Sequence, residues 1–203
     1  MMNKTSEKLE QMLTGYESER RITQEEFMDW KDKYNWELIE GIPFKSRGVS
    51  LHHQRVNGNL MQELSWYVGD NPVSIYHYPL HVHLHLFEER STMVQPDIAV
   101  YRDRCYNECL KEVGAPDFIV EVMMIETMHR DGNIKYELYK KYGVKEYWRV
   151  DPFAKQINKY VLNEFGKYEA TYYSGDDQAF STVLPGYKVS LEDAFATRRR
   201  GLL

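Results

Sequence analysis

Two short apolar runs, residues 94–101 and 117–124, constrain this chain more than anything else in it. Apart from the Asp117 that opens the second run, each is apolar on both faces except at Gln95, Asp97 and Glu121, the pattern of central strands covered on each side. An ionised carboxylate in such a strand loses its hydration, at a cost of several kcal/mol, unless a cation, a metal or a dense set of hydrogen bonds replaces the water. Asp97 and Glu121 therefore each demand a partner. The link 102–116 can return their strands to adjacency, so that both acids converge on one point. Two convergent hard-oxygen ligands describe a magnesium site, which takes one or two carboxylates and keeps several waters. A protonated or salt-bridged acid in the core, such as Asp97 with an arginine, is the alternative.

The rest of the chain frames that pair. Its 203 residues suit one domain and can bury about 70% of the surface an unfolded chain exposes, so no staple is needed. We expect a polar extension over 1–21, a single domain over 22–197 and a basic tail over 198–203. Cys105 and Cys109 lack the second pair of a zinc site or disulfide framework and read as reduced thiols. Acids outnumber bases, 31 against 26, giving a net charge of −5, so no global cationic field draws in nucleic acid and any such contact must be local. The first twenty residues have no secretory apolar core, and no long apolar run occurs, so a cytoplasmic protein without a membrane span is expected.

Periodicity supplies the elements. Residues 5–16 suit a short helix, and Thr23 with Glu26 resembles a capping box opening a helix over 24–33. Residues 35–46 read as a hairpin turning at Glu40-Gly41. Val56, Leu60, Leu64 and Tyr67 form one helical stripe within 51–69, and 74–87 alternates like one long half-buried strand with His77, His81, His83 and His85 on its wet face. After the two apolar runs, 133–142 reads as a helix stopped by Gly143, leading into a strand over 146–150. Strands over 156–162 and 168–173 and a short helix over 191–196 complete the chain.

Lys135 lies at the margin of the crossover helix's apolar stripe, where it can point to the sheet. A lysine above two acids can position an attacking water and counter the charge that develops on a phosphodiester; a helix-margin lysine can equally snorkel to solvent. Arg130, Lys140, Lys141, Lys145 and the run 198–200 read as solvated charges, because Asp131, Glu137 and Glu146 are interleaved with the helical ones. His81, His83 and His85, spaced about 7 Å along one strand face, offer a rival transition-metal site. No Gly-rich phosphate loop or G-x-S-x-G elbow is present, which weighs against NTPase and acyl-transfer chemistry.

Together the pieces resemble the PD-(D/E)XK nuclease superfamily, whose core runs helix, three strands, helix, strand, with acids on the second and third strands. Pro96-Asp97 supplies the first element and Glu121-Val122-Met123 the second. More narrowly, residues 22–196 are similar to the Uma-two branch of restriction-endonuclease-like proteins. The likeness rests on Trp36-Glu37-Leu38-Ile39-Glu40-Gly41, His53-Gln54, Val94-Gln95-Pro96-Asp97, residues 115–122 and residues 143–152.

The resemblance implies an α/β (α+β) fold, a mixed central sheet flanked by helices with added hairpins. It implies that Asp97 and Glu121, joined by the Val122 backbone carbonyl, hold Mg2+ or Mn2+. Lys135 would be the migrated catalytic lysine, since Met123 stands where the family's lysine is expected. Glu37 matches an acid of the opening motif, and His53 is a helix cap or a substrate contact. The expected activity is endonucleolytic hydrolysis of DNA, by a homodimer if related nucleases are a guide. One departure stands out. Where the family carries Ser-Pro-Ser, this chain reads Met123-Met124-Ile125-Glu126-Thr127, and losing hydroxyls beside a metal commonly weakens affinity or activity about 10-fold to 100-fold. A non-catalytic DNA-binding or protein-interaction module on the same fold is the second reading, and a histidine-ligated metal enzyme the third.

Overall fold

A computed structural model describes residues 12, 20–30, 35–45, 49–69, 71–85, 91–102, 114–124 and 131–197. The expected helix over 5–16 (apart from Met12), the two cysteines, Arg130 and the basic run 198–200 lie outside these.

The first helix, α1 (Gln24–Met28), opens with the expected capping box: Thr23 accepts the Glu26 amide and Glu26 reaches back to the Thr23 amide. It is shorter than the sequence suggests, closing at Asp29. A hairpin follows, β1 (Trp36–Ile39) and β2 (Ile42–Lys45), turning through Glu40 and Gly41 at φ of 51° and 79°. Two successive left-handed residues match the twist of the strands they join, which is why glycine sits there.

Ser50 caps the long helix α2 (Leu51–Val68), whose Val56, Leu60 and Leu64 are buried as the stripe predicts. The long strand expected over 74–87 is instead two, β3 (Val73–His77) and β4 (Val82–His85), separated at Tyr78-Pro79. The 94–101 run likewise divides into β5 (Thr92–Val94) and β6 (Ile98–Arg102) around Gln95-Pro96-Asp97. The reason is common to both: proline has no N–H for a ladder, so a strand ends or changes sheet at one unless, as at Pro43 of β2, it lies on a sheet edge.

The second apolar run forms β7 (Phe118–Val122). Helix α3 (Asp131–Lys141) then crosses to β8 (Glu146–Asp151), and Gly143 at φ 75° ends the helix, its amide and that of Val144 bonding back to Lys140 and Tyr139. Strands β9 (Gln156–Leu162) and β10 (Tyr168–Tyr173) follow as expected. The small pair β11 (Gln178–Phe180) and β12 (Lys188–Ser190) was not expected, and α4 (Leu191–Ala194) follows it.

The main sheet has six strands in the order β10-β9-β8-β7-β6-β3, antiparallel except for the parallel β7–β8 pair that the α3 crossover joins. A four-stranded sheet, β2-β1-β5-β4, holds the hairpin. In β7 the faces alternate: Phe118, Val120 and Val122 pack under α2 with Ile98, Trp148 and Val150, while Ile119 joins Tyr147, Leu138 and the small sheet's Ile39, Val82 and Val94 on the α3 side. Both faces are covered, which is why this run is continuously apolar, and full burial of each large side chain contributes about 1.5–3 kcal/mol.

Of the charges read as solvated, Lys145 is exposed, although it pairs with Asp117, whereas Lys140 and Lys141 are largely covered. Lys140 pairs with Glu137, Lys141 with Glu40 at 2.8 Å, and Glu137 and Glu40 are both buried. Tyr142 also donates to Glu40, at 2.7 Å, so the far end of α3 is tied to the hairpin turn. Glu146 is fully buried, accepting the Trp148 indole N–H at 2.6 Å and the Thr182 and Val183 amides at 2.7 and 2.8 Å. Among the described residues no helix is long and apolar enough to cross a membrane, which says nothing of a β-barrel.

Candidate active site

Five side chains singled out from the sequence, Glu37, His53, Asp97, Glu121 and Lys135, line one cavity of about 110 Å³, together with Val122. That is several times the ~10–15 Å³ that one water requires. Each comes from a different element or junction: β1, α2, the turn into β6, β7 and α3.

Asp97 sits immediately before β6. Its Oδ2 accepts the Val122 amide at 2.7 Å and lies 3.0 Å from His53 Nε2, so the acid is fixed from the end of β7 and from the first turn of α2. Burial alone would lower the His53 pKa, but the Asp97 hydrogen bond and charge outweigh it and raise it above the usual histidine value. His53 is thus both a residue of the capped turn and a partner of the acid.

Glu121 points to the α3 side of the sheet. Its Oε1 accepts Lys135 Nζ at 2.8 Å and the Tyr139 hydroxyl at 2.5 Å. Lys135 and Tyr139, four apart, share one helix face, a spacing that could have flagged Tyr139 from the sequence. Lys135 Nζ also lies 3.0 Å from Glu37 Oε1, which accepts the Gln95 amide at 2.7 Å. The ammonium therefore bridges an acid of each sheet.

The electrostatics follow. Burial pushes the Glu121 carboxyl up to about 7; Lys135 opposes this while Asp97 and Glu37 add to it. Burial works against the Lys135 ammonium, but the charges of Glu121 and Glu37 prevail and hold its pKa well above the usual lysine value. Burial and the neighbouring Glu121 keep the Tyr139 hydroxyl protonated, its pKa raised far up. Tyr139 is accordingly a donor that holds Glu121 in place.

The donor set fits a hard divalent cation. Each acid commits one oxygen to protein donors, and Asp97 Oδ1 and Glu121 Oε2 make no hydrogen bond among the described residues. Two carboxylate oxygens in a cavity with space for water are what Mg2+ or Mn2+ coordination asks of a protein. The altered stretch also shows: Met123 and Met124 line the cavity, whereas Ile125 to Thr127 lie outside the described residues.

Two of the three histidines of the rival site are engaged or covered. His81 precedes β4 and its Nε2 lies 3.0 Å from the Trp36 carbonyl oxygen and 3.1 Å from Gln95 Nε2, while His83 is buried instead of wet. Among the described residues no three His, Cys, Asp or Glu side chains gather as a metal site; the His85 side chain is outside them.

Helix α2, the main-sheet strands β3, β6 and β7, helix α3 and strand β8, with acids where β6 begins and within β7, define a nuclease fold of the restriction-endonuclease type. The chain belongs to the Uma2 family, whose model, described as "Putative restriction endonuclease", matches residues 24–192. A solved structure from Anabaena variabilis, described as a "putative nuclease belonging to DUF820", is similar with a TM-score of 0.69 at 20% identity, covering 86% of this chain and 97% of that one. Protein sll1609 of Synechocystis sp., itself uncharacterized, is 24% identical over 162 residues, 78% of this chain and 84% of its own.

Proposed function

We propose that the chain is a divalent-metal-dependent endonuclease of the PD-(D/E)XK type that hydrolyses phosphodiester bonds of DNA. The observation that carries this reading is the Lys135 ammonium held 2.8 Å from Glu121 and 3.0 Å from Glu37, in the cavity that Asp97 also lines. Asp97 and Glu121, with the Val122 carbonyl, would hold Mg2+ or Mn2+, which activates water and stabilises the departing oxygen.

The chain's own residues do the rest. Lys135, already charged and aimed, orients the attacking water and offsets charge on the phosphate. Glu37 and Tyr139 fix the positions of Lys135 and Glu121, and the Val122 amide with His53 keeps Asp97 from rotating. Preorganised groups of this kind need no rearrangement as charge develops, which is where most of their catalytic value lies. The test is cleavage of supercoiled, linear and single-stranded DNA with Mg2+ or Mn2+ by wild type and by Asp97→Ala. Metal-dependent cleavage lost in the variant supports the reading; equal cleavage by both dismisses it.

A second reading, a non-catalytic module on the same fold, is favoured by the cavity lining, where Met123 stands at the position of the family's lysine and Met124 in the stretch where the family carries hydroxyls. Calorimetric titration with magnesium separates the two: binding that Glu121→Gln abolishes favours the enzyme, and no binding by wild type favours the module.

A further inference from the structure

One cation beside this cavity is not consumed by its acids. Arg149 stands opposite Glu121 in the parallel β7–β8 register, so both side chains leave the sheet toward α3. Its guanidinium lies over the Tyr160 ring, 5.6 Å from the centroid. A Cβ added at Gly132 would come 3.0 Å from Met123 Cε and 3.4 Å from Arg149 Nη1, the latter an ordinary contact, so the guanidinium lies against the first turn of α3. Gly132 and Met123 both line the cavity, and Arg149 lies beside Gly132.

Arg149 is half-buried and has no carboxylate partner among the described residues. A guanidinium never sheds its proton, so withdrawing it from water without a counter-ion is costly, and one aromatic face repays only part. Lysines nearby are treated differently: Lys135, Lys140, Lys141 and Lys145 each pair with a carboxylate. Meanwhile Glu37, Asp97 and Glu121 would repel an approaching phosphodiester, with Lys135 already engaged by two of them. Among the described residues no carboxylate meets Arg149, while the acids call for a further cation beside them. Nearby, the amides opening α3 add partial positive charge.

We infer that Arg149 is a phosphate-binding residue, holding the phosphate that flanks the one under attack on a bound DNA strand. This rests on the nucleic-acid reading given above and adds a contact to it. It is tested by fluorescence anisotropy with a labelled DNA duplex in EDTA, across a salt series, for wild type, Arg149→Gln, Arg149→Met and Arg149→Lys, each checked for folding by its melting curve. Losing one phosphate contact should weaken binding about 10-fold and reduce the slope of log affinity against log salt by about one, with Arg149→Lys retaining the slope. Unchanged affinity and slope in the folded Gln or Met variant overturns the inference.

Wild-type protein supplies a second measurement should those variants not fold. DNA must protect Arg149 from phenylglyoxal modification mapped by mass spectrometry, and absence of protection overturns the assignment. A protein that binds DNA through Arg149 yet cleaves nothing with Mg2+ or Mn2+ sinks only the catalytic reading. One that binds no DNA sinks both.

Discussion

The Asp97 carboxylate accepts the Val122 amide at 2.7 Å and so locks the start of β6 to the end of β7. This contact makes one acid a structural staple and a candidate ligand at once. Asp97→Ala should therefore cost stability as well as activity: about 1–3 kcal/mol, for a buried amide left without its acceptor. Asp97→Asn, whose carbonyl can still accept, should recover most of the stability and none of the cleavage. Urea unfolding and a cleavage assay on the same preparations check this.

Lys135 is the only ammonium bonded to Glu121 among the described residues. Lys135→Met should leave two carboxylates facing one another and destabilise the metal-free protein by about 3–5 kcal/mol. Cleavage should fall by roughly 100-fold or more, as when one preorganised charge donor is removed. Added Mg2+ should return part of the melting temperature and none of the lost rate.

Glu121 gives a pH signature. Its folded-state pKa, near 7, lies above the ordinary carboxyl value of 4.5. Between these limits the folded protein holds a proton that the unfolded chain has released, so Glu121's contribution to stability falls as pH rises through that window and is flat above it. His53, also raised, contributes stability that is full below 6.5 and fades as pH climbs through its folded value, so the two act in the same direction. Relative to wild type, Glu121→Gln should gain stability across that window, read from unfolding at a series of pH values without metal. Divalent metal should bind with proton release near pH 6 and with little near pH 8, seen by calorimetry in buffers of different ionisation heat.

Glu146 is the contrasting acid. It lies in a different polar cluster, and Glu146→Ala would orphan the Trp148 indole and two backbone amides. We expect a loss of about 3–5 kcal/mol with Mg2+ affinity unchanged in the molecules that remain folded. Circular dichroism melts and titration at low temperature would show it.

Much of this was legible in the sequence where the signal is local. The stripe in α2, the Glu40-Gly41 turn and the capping box depend on neighbours within a few residues, and the structure has them. Asp97 and Glu121 stood out because a carboxylate in an apolar run is costly wherever it lands; what they and Lys135 do is for the experiments above to decide. The divided strands were signalled too, by Pro79 and Pro96, but alternation on both sides hid the breaks. Glu40 and Glu146 were invisible as buried acids because their donors lie distant in the chain, at Lys141 and at Thr182 and Val183. The place of Arg149 was invisible for the converse reason: no local pattern says that this guanidinium lies on Tyr160 and meets no carboxylate among the described residues.

Helix α3 grips the hairpin at two points, Lys135 on Glu37 and Lys141 with Tyr142 on Glu40. In descent the two elements are therefore coupled. A lineage that replaced Glu40 alone would take from Lys141 the carboxylate it meets at 2.8 Å, so substitutions at 40 and 141 should arise together, and drift in the hairpin is checked by the helix that serves the acids.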